Sequence, residues 1–276
     1  MTIRVTPWGV RGSTTNTSSE TREFGGDTAC FQLETANRTI VFDAGSGIVA
    51  LGQKLVANKL ENFEIDLFLS HFHYDHIVGL PFFAPLFDKR FKIKIWAAES
   101  NHGVSINTVL NQLFSAPFCP ITRDMFLAEV TTQSLGANET LQLNSGCTVR
   151  PVALRHPGGN TGFRVNCAGK VLAYTGDFEP DGSADDTEAL SGLLNEADLA
   201  LIDCTYTPEN YAQHKGYGHP HWEMVGTIAA ETNIKQWFGI HHQHLASDKA
   251  LSEIEIKISA QFPIGQLARQ GRSIKL

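Results

Sequence analysis

Short apolar runs, separated by polar or glycine-rich turns, recur along most of the chain. Runs of about four to eight residues bounded by such turns are typical of β-strands. They predict strands at Ile3–Trp8, Ala29–Glu34, Thr39–Phe42, Ile65–Ser70, Phe91–Trp96, Thr148–Leu154, Gly162–Asn166, Val171–Tyr174, Leu199–Asp203 and Gln236–Ile240. Apolar positions that return every three or four residues predict helices at Ile48–Ala57, Val104–Phe114, Asp186–Asn195, Pro220–Glu231 and Asp248–Ala260. Pro220 suits a first helical turn, where its missing N–H would have no partner.

Strands with helices between and after them are typical of a layered α/β domain in which helices cover the sheets. No charge run, proline-rich linker or repeat divides the sequence, so we expect residues 1–276 to form a single domain. Hydrophobic residues make up 42% of the chain and charged residues 18%, which is enough apolar side chain for a sizeable core and excludes disorder.

The net charge of −7 argues against a dedicated nucleic-acid binder, so we expect no stable nucleic-acid complex. No apolar run is long enough to span a membrane, and the first residues lack the pattern of a signal peptide. We therefore expect a cytoplasmic protein with no membrane contact. The five cysteines are an odd number without a CxxC pair, and we expect them to be reduced core residues.

The most specific chemical signal is the HxHxDH motif at residues 71–76. It places four titratable groups directly after the apolar strand Ile65–Ser70, where a metal cation explains them better than a coincidental polar loop does. In an extended stretch, His71 and His73 point the same way and can share one metal. If the chain then turns into a helix, Asp75 and His76 move to a second position. One short segment thus predicts ligands for two adjacent metals.

Further residues of metal-ligand type follow other predicted strands, where layered α/β folds gather their binding sites. They are His156 after Thr148–Leu154, Asp177 after Val171–Tyr174 and His241 after Gln236–Ile240. Taken singly, each also fits an ordinary loop, turn or surface residue. His242 and His244 compete with His241, which we prefer because it directly follows the strand.

These motifs resemble those of the metallo-β-lactamase-fold hydrolases, from Asp43 to His241 and beyond. The supporting segments are WGVRGS at 8–13, FGGDTAC at 24–30, FDAGSG at 42–47, DCTYT at 203–207 and GHPHWE at 218–223. Within that superfamily they are most similar to the branch of ribonuclease Z and the cyclic-nucleotide phosphodiesterases. The resemblance implies a four-layer αββα sandwich with a two-metal site between the sheet edges.

Carried over by the resemblance, the first metal has His71, His73 and His156 as ligands. The second has Asp75, His76 and His241, and Asp177 bridges the two. Imidazoles and carboxylates suit two divalent ions, with Zn²⁺ the first expectation and Mn²⁺ or Fe also compatible.

The resemblance implies a binuclear hydrolase in which a metal-bridging hydroxide attacks the substrate. We expect a phosphodiesterase that acts on a small or cyclic nucleotide-like diester. Asp75 and His219 are the candidate catalytic residues, with His219 protonating the leaving alkoxide. Alternatively, His219 caps the helix begun by Pro220, and His221 takes the acid role.

Other functions fit the same ligand set: a lactonase, thioesterase or β-lactamase-like hydrolase of a carbonyl ester or amide, an iron redox protein, or a non-catalytic metal-binding relative. His76 argues against the redox alternative, because the flavodiiron pattern departs at this position. The complete ligand set argues against loss of catalysis. We expect a small-molecule substrate, and a homodimer is possible by analogy.

The roles of several other residues stay open from sequence. Asp43 and Asp203 either orient metal-bound histidines or cap turns. Arg155 and Arg164 either contact a phosphate or lie in solvent or on a polar strand face. Asp27 adds an acidic group that would disfavour a dianionic phosphate if it lay near the metals. The phenylalanine-rich segment 79–126 is either an ordinary connection or a wall beside the site.

Overall fold

The computed structural model describes residues 3–35, 38–58, 61–98, 103–136, 139–143 and 146–276. In chain order, the strands are β1 (Arg4–Gly9), β2 (Cys30–Glu34), β3 (Thr39–Phe42), β4 (Phe63–Leu69), β5 (Phe91–Ala98), β6 (Glu129–Leu135), β7 (Leu141–Gln142), β8 (Thr148–Leu154), β9 (Asn160–Cys167), β10 (Lys170–Tyr174), β11 (Leu199–Asp203), β12 (Trp237–Ile240), β13 (Gly265–Leu267) and β14 (Ile274–Lys275).

The α-helices are α1 (Gly47–Ala57), α2 (Tyr74–Ile77), α3 (Ile106–Leu113), α4 (Ala184–Leu194), α5 (Pro208–Tyr211), α6 (Trp222–Glu231) and α7 (Asp248–Gln261). Short 3₁₀ helices lie at Ser19–Thr21, Leu80–Phe82, Ala84–Phe87 and Arg123–Met125. Among the described residues, no helix is both long enough and apolar enough to cross a bilayer.

Within the described ranges, the strands form two seven-stranded sheets, ordered β14-β1-β2-β3-β4-β5-β6 and β13-β12-β11-β10-β9-β8-β7. Aromatic side chains from both sheets, including Phe42, Phe163 and Tyr174, fill the space between them. A second apolar cluster joins the first sheet to α1 and α3, and a third joins the second sheet to α4, α6 and α7. The expected four-layer αββα sandwich is confirmed.

Parallel pairing sets the position of the loops that matter for function. Strands β3 to β6 run parallel, as do β10 to β13, so their carboxyl ends meet at one edge of each sheet. Strands buried on both faces read as continuous apolar runs. This is why β3 and β11, in which every residue is buried, are recognisable in the sequence.

Several elements differ from the sequence predictions. The apolar pattern does not predict strands β6, β7, β13 and β14; β6 alternates polar and apolar side chains weakly and is mostly exposed. Helix α6 begins at Trp222 with His221 as its N-cap, so the expected helical start at Pro220 is wrong. Pro220 instead accepts a hydrogen bond from the Tyr206 N–H and joins two loops.

The expectation of reduced cysteines is wrong for one pair. Strands β8 and β9 pair antiparallel, with Thr148 opposite Asn166. Cys147 and Cys167 follow as the next facing pair and form a disulfide, with their Cα atoms 4.4 Å apart. The two cysteines are 20 positions apart in the chain, and they face each other only because of the register in which β8 and β9 pair. The sequence does not reveal this register. Cys30, Cys119 and Cys204 are free and buried, as predicted.

Candidate metal centre

The candidate ligands lie on loops that leave strands at the facing edges of the two sheets. The HxHxDH motif follows β4 and runs into the short helix α2. His156 follows β8, Asp177 follows β10 and His241 follows β12. Residues far apart in the chain thus meet because their strands end at the same place.

Three histidines form the first group: the ligand atoms of His71, His73 and His156 lie within 4.8 Å of one another. The Nδ1 of His73 is 3.1 Å from the Nε2 of His156. Burial, reinforced by the neighbouring His76, holds the pKa of His71 well below its usual value. Burial also lowers the pKa of His156 to about 4. These two imidazoles are therefore neutral near pH 7, which is the form that binds metals.

The second group consists of Asp75, His76, Asp177 and His241. The Asp177 Oδ2 is 3.1 Å from the His76 Nε2 and 3.2 Å from the His241 Nε2. The same oxygen is 3.7 Å from the His71 Nε2, so Asp177 lies between the two groups. Of the three neighbouring histidines, His241 joins the cluster. The His242 Nε2 donates to the Ala268 carbonyl instead.

Two buried atoms at the centre have no hydrogen-bond partner within the described residues. They are the Nε2 of His71 and the Oδ1 of Asp177. Buried polar atoms in folded proteins nearly always have a partner, and a bound ion can take that place. A cation accepts a lone pair from both atoms, so the donor set fits divalent metals with nitrogen and oxygen ligands.

Outer hydrogen bonds fix the histidine tautomers. The Ser70 hydroxyl donates to Asp43, so it accepts from the Nδ1–H of His71. The His76 Nδ1 donates to Asp43, and the His156 Nδ1 donates to the Gly218 carbonyl. Each of these histidines therefore keeps Nε2 for a metal. Asp43 therefore orients candidate metal ligands, which is one of the two roles that the sequence left open for it, the other being a turn cap.

Thr205 plays the matching role for His241. Its hydroxyl donates to Asp203 and lies 2.9 Å from the His241 Nδ1, which donates to it. Asp203 also accepts from the Nδ1 of His219, at 2.7 Å. The His219 ring stacks on the His241 ring with 4.5 Å between centroids. His219 therefore stands beside the cluster, and the cap alternative is wrong because His221 is the N-cap of α6.

The loop after β1 closes the second group from the other side. The Ser13 N–H donates to the Asp75 Oδ2 at 2.6 Å. A Cβ on Gly12 would lie 2.2 Å from the His241 ring, so only glycine fits there. The Arg11 side chain is fully buried and donates to the carbonyls of Gly25 and Ala246. The WGVRGS motif thus has a structural role that the sequence did not specify.

Three other residues whose roles the sequence left open, Arg155, Arg164 and Asp27, have partners outside the candidate ligands. Arg155 forms an exposed ion pair with Asp181, and Arg164 donates to the Leu193 carbonyl. The Asp27 carboxylate accepts from the Ser46 hydroxyl and the Gln270 amide, so it is engaged in loop packing. None of these three side chains pairs with a candidate ligand among the described residues.

Metal binding should release protons from the second group. Burial alone would lower the pKa of His241, but Asp177 and Asp75 raise it to about 9. The pKa of His76 is also raised, because Asp177, Asp75 and Asp43 outweigh its burial. His241 is therefore an imidazolium ion near pH 7.5, and a metal must displace its proton. Affinity at the second group should therefore rise with pH up to about 9.

We expect Zn²⁺ titration of the stripped protein at pH 7.5 to release at least about one proton, the one that His241 carries. Calorimetry in buffers of different ionisation enthalpy measures this number. The part of the release that comes from His241 should disappear as the pH rises above about 9. Equal release at pH 7.5 and at pH 9.5 would contradict the assignment of the His241 imidazolium ion.

Glu179 is a residue that sequence reasoning missed. Its buried carboxylate accepts from the N–H groups of Gly216 and Gly218 and from the Tyr211 hydroxyl. The backbone N–H donors outweigh burial and lower its pKa. Because the Gly218 carbonyl holds His156, Glu179 sets the orientation of one candidate ligand through this loop. Nothing in the local sequence signals the role, since the contacts span more than thirty positions.

Glu179→Gln should weaken metal binding at the first group by about 10- to 100-fold. The amide keeps the shape of the side chain but replaces one acceptor with a donor that faces backbone N–H groups. Competition with a chromophoric chelator measures the affinity. Glu188→Gln, on the exposed face of α4, is the matched control. Equal affinities in the two variants would exclude the role.

The sandwich and its two adjacent groups of metal-ligand type, one of histidines and one of histidines and aspartates, define a metallohydrolase scaffold of the metallo-β-lactamase type. The family model described as the β-lactamase superfamily domain matches residues 38–242, and the chain belongs to this family. No curated protein sequence matches the chain.

Solved structures share the fold at low sequence identity. The metallo-β-lactamase fold protein YhfI from Bacillus subtilis is 16% identical, with all of both chains covered and a TM-score of 0.72. A diphosphatase of the PhnP family is 18% identical, covering 100% of this chain and 98% of its own, with a TM-score of 0.73. The short form of human tRNase Z is 17% identical, covering 98% of each chain, with a TM-score of 0.70.

Proposed function

We propose that this protein is a binuclear metal-dependent phosphodiesterase that hydrolyses a small or cyclic nucleotide-like diester. The observation that carries the proposal is the pair of adjacent ligand groups joined by Asp177, with His219 beside them. His71, His73 and His156 would hold one cation, and Asp75, His76 and His241 the other. Zn²⁺ is the first choice for this donor set, with Mn²⁺ or Fe compatible.

Divalent cations at such a centre lower the pKa of water and neutralise charge on phosphoryl oxygens. The protein's own contribution is orientation and proton transfer. Asp75 is held by the Ser13 N–H and faces His241, so its carboxylate is fixed for its double role as ligand and catalytic residue. His219 donates its Nδ1–H to Asp203, which leaves Nε2 to carry the proton that the leaving alkoxide needs.

The charges around the centre favour a diester over a more highly charged monoester. Within the described residues, the ion-pair partners of Asp75 and Asp177 are histidines alone. Arg155 and Arg164 are engaged elsewhere, so neither supplies a guanidinium for a terminal phosphate. A terminal phosphate dianion would therefore have neither of these guanidinium groups to pair with its second charge. The similarity in fold to a diphosphatase and to tRNase Z supports phosphoryl chemistry.

The test is hydrolysis of bis(p-nitrophenyl) phosphate by metal-stripped enzyme reloaded with Zn²⁺ or Mn²⁺. We expect turnover that depends on the metal and is lost in His73→Ala, which serves as the blank. Metal analysis of the same samples shows whether two ions are bound. Two bound ions without diester turnover would overturn the proposal and favour a carbonyl ester or lactone as substrate.

A further inference from the structure

Tyr174, the last residue of β10, makes a polar contact from one sheet to the other. Strand β10 belongs to the second sheet, whereas Asp43 follows β3 of the first sheet. The Tyr174 hydroxyl donates a hydrogen bond to the Asp43 Oδ2. Both side chains are fully buried, and burial together with the Asp43 charge raises the pKa of Tyr174. The phenol therefore keeps its proton and is the donor.

On the side of the first sheet, Asp43 is a shared acceptor for the loop that carries the HxHxDH motif. Its carboxylate accepts from the N–H and the hydroxyl of Ser70 and from the Nδ1–H of His76. The Ser70 hydroxyl in turn lies 3.0 Å from the His71 Nδ1. One carboxylate thus holds a candidate ligand of each metal, His76 directly and His71 through Ser70.

On the side of the second sheet, Tyr174 lies three positions before Asp177, and the turn between them is tightly packed. A Cβ on Gly176 would lie 2.4 Å from the Asn160 Oδ1 and 2.8 Å from the Ser70 Cβ. The Thr175 hydroxyl accepts from the Asp203 N–H at 3.0 Å. The position of Tyr174 therefore fixes the position of Asp177.

These contacts close a ring around one half of the candidate centre. The ring runs from the Tyr174 hydroxyl to Asp43 and on to the His76 Nδ1. The other nitrogen of the same imidazole, Nε2, is 3.1 Å from the Asp177 Oδ2, and the backbone leads from Asp177 back to Tyr174. The distance between His76 on the first sheet and Asp177 on the second sheet is thus set from the interior of the sandwich.

Packing alone does not require the Tyr174 hydroxyl. The rings of Phe31 and Phe42 lie with their centroids 5.3 Å from that of Tyr174, and a phenylalanine would fill the same space. The hydroxyl instead serves the buried Asp43 charge, whose ion-pair partner within the described residues is His76 alone. A hydrogen bond to a buried carboxylate stabilises its charge and fixes its orientation.

We infer that Tyr174 is a positioning residue for the metal centre, which acts through Asp43 to hold His71 and His76 at a set distance from Asp177. The inference rests on the metal centre of the proposed function and does not depend on its substrate. Partners that orient metal ligands through hydrogen bonds commonly change metal affinity by about 10- to 100-fold. A single hydroxyl in the core should therefore affect the ligands of both cations.

The experiment removes only this hydroxyl. Tyr174→Phe should weaken Zn²⁺ binding by the metal-stripped protein by about 10-fold, measured by competition with a chromophoric chelator. The visible absorption spectrum of the Co²⁺-loaded variant should also change, because it reports ligand geometry. Phe31→Leu is the matched control, since it removes ring packing against Tyr174 and keeps the hydroxyl. It should lower the stability of the fold and leave both metal readouts unchanged.

A double-mutant cycle tests whether Tyr174 acts through Asp43. In the background of Asp43→Asn, Tyr174→Phe should cause little further loss of affinity, because residues that act as one unit are not additive. Additive losses would overturn the inference, as would wild-type affinity in Tyr174→Phe or equal losses in Tyr174→Phe and Phe31→Leu. Affinities are measured without substrate, so a failure of diester hydrolysis is seen separately in the kinetic assay.

Discussion

Replacing Asp177 with asparagine is expected to lower metal-dependent diester hydrolysis by at least about 1,000-fold. Among the described residues, the Asp177 carboxylate is the one group within reach of His71, His76 and His241 at the same time. His241 and His76 outweigh its burial and hold its pKa well below the usual value, so it is ionised at every working pH. The amide has the same shape but lacks the charge that two adjacent cations require.

The metal content of Asp177→Asn should fall below that of the wild-type protein, as measured by elemental analysis after dialysis. Asp185→Asn makes the same chemical change on the exposed first turn of α4 and should leave both readouts unchanged. The far-ultraviolet circular dichroism of both variants should match the wild-type spectrum. Full activity with two ions bound in Asp177→Asn would exclude a bridging role.

The fold is predictable where burial imposes a strong pattern on the sequence. Strand β5 alternates apolar and lysine residues because one face packs on a core and the other meets solvent. In strand β6, its neighbour at the sheet edge, Leu135 alone is buried. Strand β6 is extended because its backbone pairs with β5, and its side chains alone do not predict a strand. Short edge strands such as β14 are defined by their partners and not by their own composition.

The candidate site is predictable only in part, for a similar reason. His71, His73, Asp75 and His76 are close in sequence, so their spacing alone suggests shared metals. Residues that hold the ligands in place act across long distances in the chain. Glu179 acts on His156 through the Gly218 backbone. Every residue has a backbone carbonyl, so a contact made by one cannot be predicted from a sequence motif. Such contacts require the three-dimensional structure.

Removal of the His219 imidazole should lower kcat by an amount that depends on the leaving group of the substrate. In His219→Ala we expect kcat for an alkyl p-nitrophenyl diester to change little when p-nitrophenolate leaves, because this anion is stable without a proton. Release of an alkoxide from a nucleoside or dialkyl diester should fall by about 100- to 10,000-fold, since an alkoxide needs a proton as it leaves. Steady-state kinetics with a series of leaving groups of increasing pKa measure this difference. The logarithm of kcat should fall more steeply with leaving-group pKa in the variant than in the wild-type protein.

The same variant distinguishes a proton donor from a metal ligand. His219 also belongs to a third group of metal-ligand type, with Asp177, Asp203 and His241. If His219 is a metal ligand, His219→Ala should lose an ion, and kcat should fall equally for all leaving groups. If His219 is a proton donor, the variant should keep its full metal content, and kcat should fall only for leaving groups that need a proton. Asp203→Asn should reproduce the selective pattern more weakly, because the amide oxygen still accepts from the His219 Nδ1 but carries no charge. His221→Ala removes the other candidate acid and should leave the leaving-group dependence unchanged.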